Sequence, residues 1–167
     1  MNTRFSNISE YLLQTLKNSL RGLLVRKVLV VGTDAAKTET QALVEPLIDY
    51  CREIGAEIDY AGNAHNSSET LLPRWMYDCT LVITDSTSPE TSIFAKDNFL
   101  YSKKLANTLK AGGSLLVLSF NNEIGNKKNT LFQEMSKWIN MLTAQAGLSM
   151  RMQDIHESCI IILFRKS

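Results

Sequence analysis

Tyr77-Asp78-Cys79-Thr80-Leu81-Val82-Ile83-Thr84-Asp85 is a largely apolar run that ends on an acid. Leu109-Lys110-Ala111-Gly112-Gly113-Ser114-Leu115-Leu116-Val117-Leu118-Ser119-Phe120 brings a second such run after a glycine pair. Between them, Tyr101, Leu105 and Leu109 recur at helical spacing over Asn98 to Lys110, with Asp97 placed to cap the helix and Gly112-Gly113 to stop it. Near-continuous apolar strands joined by an amphipathic helix suit a parallel sheet buried on both faces. The stretch therefore sets the class as α/β with right-handed crossovers.

Working outward, Lys27 to Gly32 reads as strand one, Ala56 to Ala61 as strand two, and Cys79 to Thr84 and Ser114 to Phe120 as the next two. Thr38 to Ile54 carries the stripe Leu43, Leu47, Cys51 and Ile54; Pro46 implies a helix that starts near Val44 or kinks there. Ser67 to Trp75 reads as a short helix. Leu131, Phe132, Met135, Trp138, Ile139, Leu142 and Ala146 form the clearest helical stripe, a core face ended by Gly147. Leu148 to Gln153 and Cys159 to Phe164 then make two strands joined by Asp154-Ile155-His156-Glu157. At the other end, Asn7 and Glu10 form a capping box for a packing helix within residues 1–25, with Ile8, Tyr11, Leu12, Thr15, Leu16, Leu20, Leu23 and Leu24 on one face. Residues 1–167 are thus expected to form one Rossmann-like, doubly wound, mostly parallel domain with a C-terminal antiparallel hairpin.

Lys plus Arg number 18 against 17 Asp plus Glu, a balance that gives no field to draw nucleic acid or a membrane surface. Arg4, Lys17, Arg21, Arg26 and Lys27, against Glu10 alone before strand one, could serve an acidic partner but more commonly form a solvated helix face. Cys51, Cys79 and Cys159 are far apart among apolar neighbours, with no Cys-x-x-Cys pair, so they read as buried free thiols and no metal site is expected. No apolar run reaches the roughly 20 residues of a membrane span, and the expected location is the cytoplasm.

Ligands of open α/β sheets bind beyond the carboxyl ends of the strands, which directs attention to Gly32-Thr33-Asp34, Ala61-Gly62-Asn63, Asp85-Ser86-Thr87 and Asn121-Asn122. Asp85 stands out because it follows a buried strand directly; the alternative is a turn-capping role in its Ser/Thr-rich loop. His65 and His156 read as surface loop histidines without a paired acid or thiol.

The run from Tyr77 to Phe120, with the terminal strand pair, resembles the core of class I S-adenosylmethionine-dependent methyltransferases. The resemblance implies a cofactor loop after strand one, yet Gly32-Thr33-Asp34-Ala35-Ala36-Lys37-Thr38 lacks the family's second and third glycines, which let the backbone approach the ligand. The chain is also short by about one strand–helix unit between Ala56 and Tyr77, a region that commonly cradles the adenosyl group. If the site works, the resemblance implies Gly32, Thr33, Asp34, Asn63 and Asp85 against S-adenosylmethionine. Ribose methyltransferases of the FtsJ type use a Lys-Asp-Lys-Glu set. Lys17, Asp85 and Glu157 match three of its members, while Leu118 or Ser119 stands where the second lysine belongs. Val28 to Asp34 and Tyr77 to Asp85 also resemble strands of a response-regulator receiver with Asp85 as phosphoacceptor. Taken with its length and missing glycines, the chain is similar to the N-terminal domain of the anamorsin family. That implies a non-catalytic protein-interaction domain without cofactor, in cytosolic iron–sulfur cluster assembly, docking a diflavin reductase. The competing implication is a methyltransferase of RNA or a small molecule.

Overall fold

The computed structural model describes residues 3–32, 38–61, 72–85, 93–120, 128–156 and 159–167. The elements are α1 (Thr3–Leu20), β1 (Lys27–Val31), α2 (Thr38–Glu53), β2 (Glu57–Ala61), β3 (Tyr77–Asp85), a 3-10 turn (Lys96–Asn98), α3 (Phe99–Asn107), β4 (Leu109–Phe120), α4 (Lys128–Gln145), β5 (Leu148–His156) and β6 (Cys159–Lys166). The six strands lie in the order β2-β1-β3-β4-β6-β5. The first four are parallel, and β6 runs antiparallel to both β4 and β5. This is the expected doubly wound sheet with an antiparallel terminal pair, and β6 lies inside it.

Alternation along each strand divides the core. Val28, Val30, Cys79, Leu81, Ile83, Leu116, Leu118 and Ile161 face α1 and α2, meeting Leu12, Leu16, Leu47 and Ile48. Leu29, Val31, Val82, Leu115, Val117, Ile160, Ile162 and Phe164 face α3 and α4, meeting Tyr101, Leu105, Met135, Trp138 and Leu142. The aromatic and methionine side chains of α4 are core, as their spacing predicts.

Several boundaries differ from the sequence expectation. Helix α1 begins at Thr3, so Asn7 is inside it and not at its cap; Leu23 and Leu24 follow the helix and are exposed, Leu24 by 72 %. Pro46 sits inside a continuous α2, where the carbonyl it cannot bond belongs to exposed Ala42. Residues 72–76 are not helical; the rest of the short helix expected at Ser67 to Trp75 lies outside the described residues.

Helix α3 has no side-chain cap at either Asn98 or Ala95, so Asp97 does not serve as one. It also stops well before the glycine pair. Thr108, fully buried, donates its hydroxyl to the Leu105 carbonyl at 2.6 Å. That uses its one hydrogen, so the Thr80 hydroxyl donates to Thr108 Oγ1 at 2.7 Å and ties the helix end to β3. Gly112 and Gly113 instead belong to an excursion within β4: Tyr77 pairs with Leu109 but Cys79 pairs with Ser114. Gly112 has φ 81, and a Cβ at Gly113 would come within 3.0 Å of the Lys110 carbonyl oxygen. Both positions therefore need glycine.

Candidate functional site

Gly32, Ala61, Asp85 and Phe120 mark the carboxyl edge of the parallel strands. The Gly32 amide donates to the Ala61 carbonyl at 3.4 Å, and Gly32 has φ 93, which turns the chain off β1. A side chain there strains the backbone by about 1–2 kcal/mol, so Gly32→Ala is expected to lower the urea midpoint correspondingly; an unchanged midpoint would show that the turn does not depend on glycine. Asp85 ends β3 with its backbone opposite Phe120. One residue earlier, Thr84 Oγ1 is buried without a hydrogen-bond partner among the described residues.

Thr33, Asp34, Asn63, Glu157 and His65 lie outside the described residues. Lys17 is on α1 with its ammonium 5.3 Å from the centre of the Tyr50 ring of α2, turned toward that neighbouring helix. Among the described residues no cluster of three or more His, Cys, Asp or Glu side chains could hold a metal. Cys51, Cys79 and Cys159 are buried and unpaired. Burial pushes the Cys51 thiol up to about 11 and Cys159 up to about 12, and raises Cys79 further, so all three are neutral thiols.

A second group at this end was not foreseen. The Tyr11 hydroxyl donates to Asp154 Oδ2, and Asp154 Oδ1 accepts the Ile155 amide at 2.8 Å. The Tyr11 pKa is raised, first by that hydrogen bond to the carboxylate, then by burial and by the Asp154 charge. His156 stacks on Tyr11 with ring centres 4.7 Å apart and planes 6° from parallel, and its Nε2 is buried without a partner among the described residues. His156 is therefore the last residue of β5 and part of a packed cluster, not a surface loop histidine. A bulge brings the group together. Met150 pairs with Phe164 and Met152 with Leu163, leaving Arg151 as the extra residue. Leu148 faces α4, and beyond the bulge Met152, Asp154 and His156 face α1 while Gln153 and Ile155 turn to the α4 side.

Between α1 and the β5–β6 pair runs a groove of about 520 Å³, with Tyr11 at one end and Ser19 at the other. Met152 and Leu163 form its apolar part. Two arginines, Arg151 and Arg165, line it with no carboxylate among the lining side chains. The Arg165 guanidinium is held by a 3.0 Å hydrogen bond to the Ser19 carbonyl.

No protein-family model and no curated protein matches this sequence. Solved structures do match in fold. The N-methyltransferase NodS of Bradyrhizobium japonicum, determined with S-adenosylhomocysteine, is 16 % identical; the match covers 95 % of this chain and 87 % of that one with a TM-score of 0.53. A chain from the Haloferax volcanii complex of the Trm112 methyltransferase activator with its methyltransferase partner is 12 % identical over 98 % of this chain and 94 % of that one, TM-score 0.51. A methyltransferase dependent on S-adenosylmethionine from Aquifex aeolicus gives 14 %, 95 %, 89 % and 0.52 respectively. Together with the strand order and the interior antiparallel β6, these likenesses show that the chain has the Rossmann-like fold of class I S-adenosylmethionine-dependent methyltransferases.

Proposed function

We propose that this is a non-catalytic, methyltransferase-like domain that works by binding another protein. The observation that carries the reading is the span between β2 and β3. Ala61 and Tyr77 are separated by fifteen residues, 62–76, and the last five are not helical. A further strand plus its crossover helix needs more chain than that, since a whole βαβ unit takes about 30 residues. Among the described residues the sheet ends at β2, where the fold's cofactor site draws part of its wall, and β1 is followed by one glycine where the family has three. The N-terminal domain of the anamorsin family, docking a diflavin reductase in the cytosol, is the specific form of this reading. The Haloferax volcanii neighbour, bound to an activator protein, lends support to protein partners for the fold.

Calorimetric titration with S-adenosylmethionine and S-adenosylhomocysteine is expected to give no binding heat and no rise in melting temperature. Occupancy at 100 times the dissociation constant stabilises by about 2.7 kcal/mol, a plainly visible shift; seeing it would refute the non-catalytic reading. The second reading, a working methyltransferase of RNA or a small molecule, is favoured by Gly32 at φ 93 after β1 and Asp85 at the end of β3. In that case Asp85, Lys17 and Glu157 are the residues to substitute. The receiver-like reading has least support, because its sheet is parallel throughout and β6 here is antiparallel.

A further inference from the structure

We infer that the groove between α1 and the β5–β6 pair is a docking site for a short, extended, acidic segment of a partner protein that carries an apolar side chain. The inference rests on the reading of the domain as an interaction module. Charge is the first argument. The lining places Arg151 and Arg165 together without a carboxylate, and Asp154, which touches the lining through Tyr11, is already engaged through both oxygens by Tyr11 and Ile155. Arg165 is pre-positioned by the Ser19 carbonyl, so less rotamer freedom is lost when its remaining N–H groups meet a carboxylate. Arg151 projects from the β5 bulge, a device that commonly re-aims a side chain.

Shape is the second argument. Tyr11 and Ser19 are eight positions apart on α1, which at 1.5 Å per residue makes the groove about 12 Å long. Extended chain rises about 3.3 Å per residue, so roughly four residues fit. Met152 and Leu163 offer apolar surface for one side chain of that segment. The hydroxyls and amides of α1 add little attraction of their own: Thr15 and Ser19 bond back to the Tyr11 and Leu16 carbonyls, and Gln14 bonds Asn18. The guanidinium pair and the apolar floor therefore set the specificity.

The test uses fluorescence anisotropy with a fluorescein-labelled peptide of alternating glutamate and leucine, with the lysine–leucine peptide and free octanoate as controls. The acidic peptide is expected to bind, more weakly as salt rises, and the basic one not to. Arg151→Glu should weaken binding at least about tenfold, as should Gln14→Trp, which fills the groove from an exposed helix position; both should keep the parent melting temperature. Hydrogen-exchange protection should fall on Tyr11 to Ser19 and Leu148 to Met152. Equal binding of the two peptides, parent affinity in both variants, protection elsewhere, or binding of octanoate alone would each overturn the proposal. Repeating the titration with saturating S-adenosylhomocysteine separates the two readings. If that compound binds and the peptide affinity is unchanged, the non-catalytic reading fails and the docking site stands.

Discussion

Trp138→Ala is expected to destabilise the domain by about 4–8 kcal/mol, a large share of what holds it folded. Trp138 is 1 % exposed and meets Phe94 and Phe164 edge-on, with ring centres 5.0 and 5.6 Å away, while its Nε1 donates to Ser102 Oγ at 2.8 Å. One side chain thus joins α4 to α3, to β6 and to the turn after β3. Truncating a buried tryptophan costs about 3–5 kcal/mol, and a buried serine that loses its donor adds about 1–3. Domains of this kind hold about 5–15 kcal/mol in total. Trp138→Phe keeps much of the ring and loses the donor, so a smaller loss, about 1–3 kcal/mol, is expected. Urea titration followed by far-ultraviolet circular dichroism reads both variants. An alanine variant within about 1 kcal/mol of the parent would mean that this contact set does not hold the two helices together.

Deleting Arg151 should be nearly as informative, because it removes the one residue of β5 that has no partner of its own on β6. Met150, opposite Phe164, and Met152, opposite Leu163, then become successive residues in regular alternation. Leu148 stays on the α4 side, and Asp154 stays on the α1 side with Tyr11. The deletion is therefore expected to change stability by less than about 1 kcal/mol, as read by urea titration, with the Tyr11 and His156 resonances near their parent positions. Arg151→Ser, which keeps the bulge, should change stability by less than about 0.5 kcal/mol. Loss of the Tyr11–His156 stacking shifts in the deletion variant would show that the bulge itself holds the cluster together.

These two variants also mark what the sequence could and could not disclose. The parallel strands were legible because Val28 to Val31, Leu81 to Ile83 and Leu115 to Leu118 are apolar on both faces, which few other structures require. The α4 stripe was legible from its period. Arg151 was not, since Leu148-Ser-Met-Arg-Met alternates without a break and nothing in it signals that one residue falls out of register. The Gly112-Gly113 pair was given the commoner of two glycine roles, helix stop, when the stop was the Thr108 hydroxyl and its partner lay on β3. Asn7 and Glu10 have the right spacing for a cap, yet the helical backbone continues to Thr3, and local pattern alone does not rank one start over another. Tyr11 and Asp154 lie 143 positions apart, so only the closing of β6 between β4 and β5 brings them together.

That placement of β6 has a consequence for how the molecule is made. Of the six strands, Cys159–Lys166 is the last to leave the ribosome, yet it occupies an interior slot and pairs on both sides. Until it arrives, the hydrophobic edge of β4 is open and β5 has no neighbour to pair with. A nascent chain would therefore display an unsatisfied edge from the emergence of β4 until that of β6, the condition that invites chaperone capture or misassembly. Folding of the sheet is in this sense gated by its final segment: the parallel half can collapse early, but its boundary is sealed in a single late step.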